Sequence, residues 1–376
     1  MDKKEIIQLR KVLHTLAEPS MQEYQTKALL MRWLKEHTDL HVVDRGKWFY
    51  AEYKKETEKK AIAFRGDFDA VLCQDGQARH LCGHDGHSSV LAAFAKELSD
   101  LSPDRSVYLI FQPGEETGEG GEICSSLIEE KGIQEIYAFH NIPGKKESEV
   151  LLLKNTFACA STGMELIFTG CPSHAAYPEQ GKNPAMIIAE MIRYADQLVK
   201  EPHKGIVLAT VIGVNLGSSS YGVSAEKGSL KFTLRGELQE EYDLLVRRIR
   251  EKALMLAKEA EMDCQIRLIE EFPATENTPA CVKKVQDAAE GLKLAFSYPE
   301  EPFRWSEDFG YYLQKTKGAM FGVGCGEKHP GLHTEQYEFN DEILGTVVEL
   351  YKELVRGGKR CGNYWNYMRH SFESAE

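Results

Sequence analysis

The sequence predicts an α/β fold in which a mostly parallel sheet flanked by helices is interrupted by a smaller α+β unit. Two observations support this prediction. Over 1–162, short apolar runs typical of buried strands alternate with amphipathic helical segments. Over 163–274, the order changes to strand, helix, strand, strand, helix, strand, which is the ferredoxin-like order. We therefore predict one domain from 1–162 and 275–376, with 163–274 inserted into it.

The first domain opens with two predicted helices, at 6–16 and 21–36, where apolar residues recur at helical spacing. We expect Ser20 to cap the second helix, with Glu23 completing a capping box. Predicted strands follow at 41–43, 48–53, 61–64, 107–111 and 136–139, and predicted helices at 88–98 and 123–130. Such alternation is typical of a parallel sheet covered by helices on both faces.

The insert is predicted to contain strands at 164–168, 206–215, 230–235 and 263–270, and helices at 183–199 and 239–260. The returning chain is predicted to form helices at 280–293, 307–315 and 341–356, and a strand at 320–324. Three aromatic residues, Tyr364, Trp365 and Tyr367, lie in the tail 357–376. They could pack on the surface or serve an oligomer contact, and a frayed end is an equal alternative.

Composition narrows the class of protein. A chain of 376 residues is long enough for two domains with sizeable cores. The formal net charge of −12 argues against nucleic acid or an anionic membrane as a partner, and no apolar run approaches membrane-spanning length. The first residues lack the apolar core of a signal peptide, and the nine cysteines are scattered without a C-x-x-C pair. We therefore expect reduced thiols and a cytoplasmic protein.

A short stretch before the helix at 88–98 concentrates metal-binding chemistry. Cys82, His84, Asp85 and His87 follow one another closely, beside two glycines that permit a tight turn. Thiolate, neutral imidazole and carboxylate are the ligands that divalent transition metals take in proteins. By itself this stretch predicts a metal site about as well as it predicts a solvated loop.

Further candidate ligands lie near strand ends. Glu115 and Glu116 follow the strand at 107–111, and His140 follows the apolar run at 136–139. Open α/β sheets place their ligands at the carboxyl ends of strands. Because adjacent carboxylates repel each other, a site that keeps both ionised is expected to supply positive charge. One carboxylate can then bind metal while its neighbour moves protons.

Seven motifs, taken in order, resemble those of the M20 peptidase family. The resemblance is to its amidohydrolase branch, which includes hippurate hydrolases, indole-acetyl-amino-acid hydrolases and N-acetyldiaminopimelate deacetylases. The motifs run through nearly the whole chain, and a complete ordered set is far more specific than any one of them. They are Arg65-Gly66-Asp67-Phe68-Asp69-Ala70, Cys82-Gly83-His84-Asp85-Gly86-His87, Gly114-Glu115-Glu116, Phe139-His140, Ser173-His174-Ala175-Ala176-Tyr177-Pro178, Ser306-Glu307-Asp308-Phe309 and Leu332-His333.

The resemblance implies five metal ligands, which are Cys82, His84, Glu116, His140 and His333. Five protein ligands exceed what one ordinary zinc ion needs, so we expect two divalent metal ions per subunit. A thiolate can bridge two ions and an imidazole cannot, which makes Cys82 the hypothetical bridge. Thiolate and imidazole favour zinc, with manganese, cobalt or nickel as alternatives. Asp67 is implied to support the site.

The resemblance also implies the catalytic and substrate-binding residues. Glu115 is the implied general base, which takes a proton from the attacking water and returns it to the leaving amine. His174 is the implied oxyanion donor and substrate contact, and it reaches the active site of the neighbouring subunit. Arg235 is implied to bind a substrate carboxylate, and an ion pair within its own domain is the alternative. The insert is implied to act as a lid through which a homodimer forms.

The chain departs from the family pattern in several places, and two of these departures bear on substrate binding. Cys171 and Pro172 stand where relatives commonly have two glycines before the histidine, which stiffens the loop that carries His174. The segment 221–224 stands where relatives often carry Asn-Val-Ile-Pro, so the acyl and amino-acid preference of relatives does not carry over.

We predict a dinuclear metal-dependent amidohydrolase that cleaves the amide bond of small-molecule N-acyl amino acids bearing an N-acetyl or N-aroyl group. One alternative is a dipeptidase or aminoacylase-like peptidase. A second is a catalytically inactive relative that binds an acidic metabolite. A third is a structural zinc protein, which chelation would unfold.

Overall fold

The computed structural model of the protein describes residues 3–357. The tail residues Tyr364, Trp365 and Tyr367 lie outside the described residues. The helices are α1 (Lys3–Thr15), α2 (Tyr24–His37), α3 (His84–Leu101), α4 (Glu119–Cys124), α5 (Ser126–Glu130), α6 (Ala185–Leu198), α7 (Gln239–Glu259), α8 (Pro279–Gly291), α9 (Gly310–Leu313) and α10 (Leu344–Arg356). Single 3₁₀ turns lie at Pro178–Gln180 and Asp341–Ile343.

The strands are β1 (His41–Asp44), β2 (Phe49–Tyr53), β3 (Ala61–Asp67), β4 (Val71–Leu72), β5 (Ala78–Arg79), β6 (Val107–Gln112), β7 (Ile133–Ile142), β8 (Val150–Leu151), β9 (Ala160–Thr169), β10 (Val207–Leu216), β11 (Lys227–Gly236), β12 (Asp263–Phe272), β13 (Phe296–Ser297) and β14 (Lys317–Gly324).

The large sheet has eight strands in the order β1-β2-β6-β3-β7-β14-β8-β13. Its four central strands, β6, β3, β7 and β14, are parallel to one another. Antiparallel pairings occur toward the edges, between β1 and β2, between β2 and β6, and between β14 and β8. The predicted mostly parallel sheet is therefore confirmed.

Helices cover both faces of this sheet because successive strand residues point to opposite sides. On β3, Phe64 enters a core shared with α1, α2, α3, α8 and α10. The preceding residue, Ala63, enters a second core shared with α4, α5 and α9. The strands between these two layers are buried on both faces, which explains why they read as continuous apolar runs.

A second, antiparallel sheet has the order β10-β11-β9-β12. Helices α6 and α7 pack their apolar residues against it in a third core. The chain order β9-α6-β10-β11-α7-β12 confirms the ferredoxin-like arrangement. The predicted boundary at 163 falls inside β9, and the division into two domains stays a prediction.

The predicted capping box of α2 is wrong. Glu23 is the residue that precedes α2, and its side chain does not cap the helix. The carboxylate of Glu18 instead accepts hydrogen bonds from the first-turn amides of Gln25 (2.9 Å) and Thr26 (2.8 Å). Ser20 instead donates to Asp69 (2.7 Å), and Glu23 accepts hydrogen bonds from the backbone of Met21 and Gly114 (2.8 Å each). Both side chains thus support the loops that follow β3 and β6.

None of the helices within residues 3–357 combines the length and the apolar character needed to cross a membrane. The cysteines within the same range are all free thiols, and most of them are buried.

Candidate active site

The carboxyl ends of neighbouring parallel strands bring the candidate residues together. Asp67 is the last residue of β3, His140 lies near the end of β7, and Glu115 follows β6 in a short loop. Cys82 and His84 stand at the start of α3, which packs against β3. This is the edge at which open α/β sheets bind their ligands.

Glycines permit the tight turn that the sequence predicts at the start of α3. Gly83 has a φ of +98°, a left-handed conformation that favours glycine, and α3 begins at the next residue. A Cβ atom at Gly83 would lie 2.5 Å from the hydroxyl oxygen of Tyr337, and one at Gly86 would lie 2.2 Å from the ring of Phe339. The packing around this turn therefore has no room for a side chain at either position.

The structure brings the five predicted ligands together in overlapping groups of donor atoms. One group is Cys82, His84 and His140, and a second is Cys82, Glu116 and His333. Cys82 belongs to both groups, and Glu116 also lies in a third group with His84 and Glu115.

The distances within these groups suit shared metal ions. The Cys82 Sγ atom lies 3.6 Å from His140 Nε2, and Glu116 Oε1 lies 3.4 Å from His333 Nε2 and 3.8 Å from His84 Nε2. Donors at ordinary zinc bond lengths in tetrahedral geometry lie about 3.4–3.6 Å apart. The donor atoms are therefore close to the spacing that one metal ion per group requires.

Hydrogen bonds orient two of the imidazoles for metal binding. The Nδ1 atom of His84 bonds Asp69 (2.9 Å), and the Nδ1 atom of His140 donates to the carbonyl of Asn141 (2.9 Å). Each bond leaves Nε2 directed at the donor group, which is the usual arrangement behind metal-ligating histidines.

Two buried donor atoms have no hydrogen-bond partner within residues 3–357. They are His84 Nε2 and Glu116 Oε1. An unpaired buried polar atom costs free energy, so such atoms call for an explanation. A metal ion bound by this donor set satisfies both atoms, and the residues present therefore fit a metal centre.

His87 is arranged differently, although it belongs to the same motif. Its two ring nitrogens contact side-chain oxygens of Asp67 and Asn141. Both nitrogens are therefore engaged by side-chain oxygens, although His87 also lies in a further group of potential donor atoms with Asp67 and His84.

Without metal, the donor groups hold protons. Burial, followed by the charge of Glu116, raises the pKa of the Cys82 thiol above its ordinary value. The nearby Cys82 and Glu116 side chains raise the pKa of His333 to about 10. Burial lowers the pKa of His140 well below its ordinary value, so that imidazole is neutral and ready to bind. Metal binding must therefore displace protons from Cys82 and His333.

Glu115 lies beside the donor groups and is buried. Its Oε2 atom is 3.7 Å from His84 Nε2. Burial and then the charges of Glu307 and Asp308 raise the pKa of Glu115 well above its ordinary value. A carboxylate in this environment has a strong tendency to take up a proton.

Sequence reasoning did not identify the buried network around Arg65. Its guanidinium bonds Asp67 (2.5 Å), Asp308 (2.6 Å) and Gln112 (2.9 Å), and it pairs with Glu307 (2.9 Å). The sequence shows the motifs that contain Arg65 and Asp308. It does not show that these two residues pair, because they are 243 residues apart and no local pattern connects them.

The same network explains why the helix predicted at 307–315 is wrong in extent. The observed helix, α9, spans only Gly310–Leu313. Glu307 and Asp308 lie before it with their side chains turned to Arg65, and the backbone amide of Asp308 faces Glu115 (3.4 Å).

The structure places His174 outside the donor groups. It lies in an exposed loop after β9, bridged to Val223, with its Nδ1 atom accepting a hydrogen bond from the amide of Ala176. The loop is braced further by Cys171, which pairs with Lys182. The structure describes one chain and does not bring His174 to that chain's own donor groups.

Arg235 lies on β11 and contacts the segment that precedes α9. Its Nη1 atom donates to the carbonyl of Arg304 and to the hydroxyl of Ser306 (2.8 Å each). Within residues 3–357, no carboxylate forms an ion pair with Arg235, so the alternative of an ion pair within its own domain is not found. Burial lowers the pKa of this guanidinium.

The α/β fold and the donor groups at its strand ends define a metallohydrolase-like site. The model of peptidase family M20/M25/M40 matches residues 63–357. The chain therefore belongs to this family, and it is a hydrolase that acts on amide bonds.

Individual relatives agree with this assignment. An uncharacterized hydrolase of Staphylococcus epidermidis is 28% identical and covers 93% of this chain and 97% of its own. An N-acetyldiaminopimelate deacetylase of Lactococcus lactis is 26% identical, with the same coverage of 93% and 97%. The crystal structure of YXEP of Bacillus subtilis, described as a dinuclear metal-binding peptidase of the M20 family, has a TM-score of 0.77 at 21% identity. It covers 94% of this chain and 97% of its own, and it supports the fold.

Proposed function

We propose that the protein is a dinuclear metal-dependent amidohydrolase that cleaves the amide bond of N-acyl amino acids. The observation that carries the proposal is the pair of donor groups that share Cys82, with Glu115 beside them. Cys82, His84, Glu116, His140 and His333 would hold two divalent ions. Zinc is favoured by thiolate and imidazole, with manganese, cobalt and nickel as alternatives.

The chemistry divides between the bound ions and Glu115. Bound ions would acidify a water molecule and polarise the scissile carbonyl. Glu115 accepts a proton from the attacking water as the oxygen–carbon bond forms. It then donates that proton to the leaving nitrogen as the carbon–nitrogen bond breaks. Its burial keeps bulk water from competing for the proton.

The surroundings of Arg235 support a substrate that carries a carboxylate. It is a half-buried cation without a carboxylate partner in the described part of the chain, close to the segment that carries Glu307 and Asp308. A substrate carboxylate would supply that partner. The relatives named N-acetyldiaminopimelate deacetylase agree with an N-acyl amino acid as substrate.

We also propose a cytoplasmic homodimer, with 163–274 as the lid through which two copies pair. Strand β10 is at the edge of the four-stranded sheet, and Ile212, Val214 and Leu216 on it are 60%, 46% and 42% exposed. An apolar edge strand favours pairing with a second copy. Such pairing would carry His174 toward the other subunit's donor groups, where it would act as an oxyanion donor.

The test is hydrolysis of a panel of N-acyl amino acids by protein of measured metal content, with dipeptides assayed in parallel. We expect metal-dependent release of free amino acid from N-acetyl or N-aroyl substrates. Faster cleavage of dipeptides than of every N-acyl amino acid would contradict the proposed substrate class and leave the metal chemistry standing.

A further inference from the structure

Trp305 lies against the candidate metal centre, and the chemistry proposed above does not use it. Its ring is 4.9 Å from the ring of His140, centroid to centroid, at an interplanar angle of 45°. His140 belongs to the first donor group. The indole is only partly buried, so part of it remains available to a ligand.

The residues on either side of Trp305 contact the cation proposed to bind the substrate carboxylate. The carbonyl of Arg304 and the hydroxyl of Ser306 both accept hydrogen bonds from Arg235 (2.8 Å each). Trp305 therefore occupies the position that joins the His140 donor group to the Arg235 guanidinium.

The indole is held firmly in place. Its ring stacks on Phe303 (4.9 Å, 23°) and meets Phe157 edge-on (5.7 Å, 77°), and Phe157 is fully buried. The Trp305 side chain also packs against the core formed with α4, α5 and α9. A ring fixed by aromatic neighbours and by the core cannot move aside without disturbing that packing.

An N-acyl amino acid has its scissile carbonyl and its carboxylate separated only by the amide nitrogen and the α-carbon. With the carbonyl at the donor groups and the carboxylate at Arg235, the α-carbon and its side chain lie along the stretch that Trp305 occupies. The acyl group extends from the other side of the carbonyl.

We propose that Trp305 is a specificity-determining residue that limits the size of the amino-acid side chain in the substrate. The inference rests on the proposed function. It adds that the enzyme selects its substrates by the amino-acid part of the molecule. It assigns preference for N-acyl derivatives of small amino acids over those of large ones, and it leaves the acyl group to other residues.

The test compares kcat/KM for N-acetylalanine and N-acetylphenylalanine in the wild type, Trp305→Phe and Trp305→Ala. The ratio of the large to the small substrate should rise about tenfold or more in Trp305→Ala, with Trp305→Phe intermediate. The ratio of N-benzoylalanine to N-acetylalanine should stay within about threefold of the wild type. Metal content is measured for each variant because His140 is a neighbour.

Trp33 provides a matched control, since its ring stacks on His37 (4.4 Å, 10°) in α2, outside the donor groups. Trp33→Phe should leave both ratios unchanged. An unchanged or falling amino-acid ratio in Trp305→Ala, or a shift in the acyl ratio alone, would overturn the inference. If the wild type cleaves the N-acyl substrates and the variants show unchanged ratios, only this inference is wrong. If the wild type cleaves no N-acyl substrate, the result contradicts both the proposed function and this inference.

Discussion

Replacing Glu115 with glutamine removes the proposed base while keeping the shape of the side chain. The neighbouring carboxylates within residues 3–357 offer no substitute for it, because Glu307 and Asp308 are already paired with Arg65 and Glu116 belongs to the metal donor groups. General-base loss typically costs about 10²–10⁴-fold in rate, or about 2.7–5.4 kcal/mol of barrier. Since no neighbouring carboxylate is free to take over, we expect the upper half of that range, about 10³–10⁴-fold.

The same substitution should not weaken the metal-free fold. The pKa of Glu115 is raised because burial and the neighbouring acids disfavour its charged form. A raised carboxyl pKa means that this charge opposes folding at neutral pH, so a neutral glutamine should leave the melting temperature equal or higher.

The assay is steady-state hydrolysis of an N-acetyl amino acid, with metal content measured on the same preparation. Glu119→Gln is the matched control, because Glu119 is exposed at the start of α4 and accepts only from Thr117 (3.1 Å) among the described residues. The control should keep the wild-type rate. A Glu115→Gln rate within about threefold of the wild type, at full metal content, would refute the assignment of Glu115 as base.

Three further predictions follow from the donor groups and the lid. Cys82→Ala alters both donor groups and should lower the affinity for both ions, whereas His140→Ala should lose one ion of two. Metal analysis, with circular dichroism as the check on folding, measures this. Full metal occupancy in either variant would contradict it. Because the pKa of Cys82 and of His333 is raised in the metal-free protein, metal binding should release protons and tighten from about pH 6 to pH 8. Calorimetry in buffers of different ionisation enthalpy measures the release, and a pH-independent affinity argues against these ligands. Mixing His174→Ala with Glu115→Gln under subunit exchange should restore up to roughly half of the activity per dimer, since one of the two sites is whole. Confirmed exchange without recovery would show that His174 does not act across subunits.

Local patterns predicted the features that local physics determines. The turn at Gly83 needs a left-handed backbone, and the sequence placed a glycine there. The alternation of apolar runs and amphipathic helices predicted the parallel sheet, because buried strands and half-buried helices have different periods. Candidate ligands at strand ends followed from the same reasoning.

Partner choice over long sequence distances was not predictable. Ser20 and Glu23 matched a capping box, yet they bond to Asp69 and Gly114 instead, because those groups lie within reach only in the folded chain. Asp308 likewise lies outside the observed helix, although a helix was predicted there, because it pairs with the buried Arg65. A buried guanidinium requires carboxylate partners, and that requirement outweighs the local helix preference of the segment.

The central claim is that two metal ions, held by the two donor groups that share Cys82, support hydrolysis of N-acyl amino acids. Its most direct test is a titration of metal-free protein with zinc, repeated with manganese, while cleavage of an N-acetyl amino acid is followed. We predict that activity rises until about two equivalents per subunit are bound and is abolished again by chelation, while the chain stays folded. Activity that is complete at one equivalent, or that persists without metal, would contradict the dinuclear account.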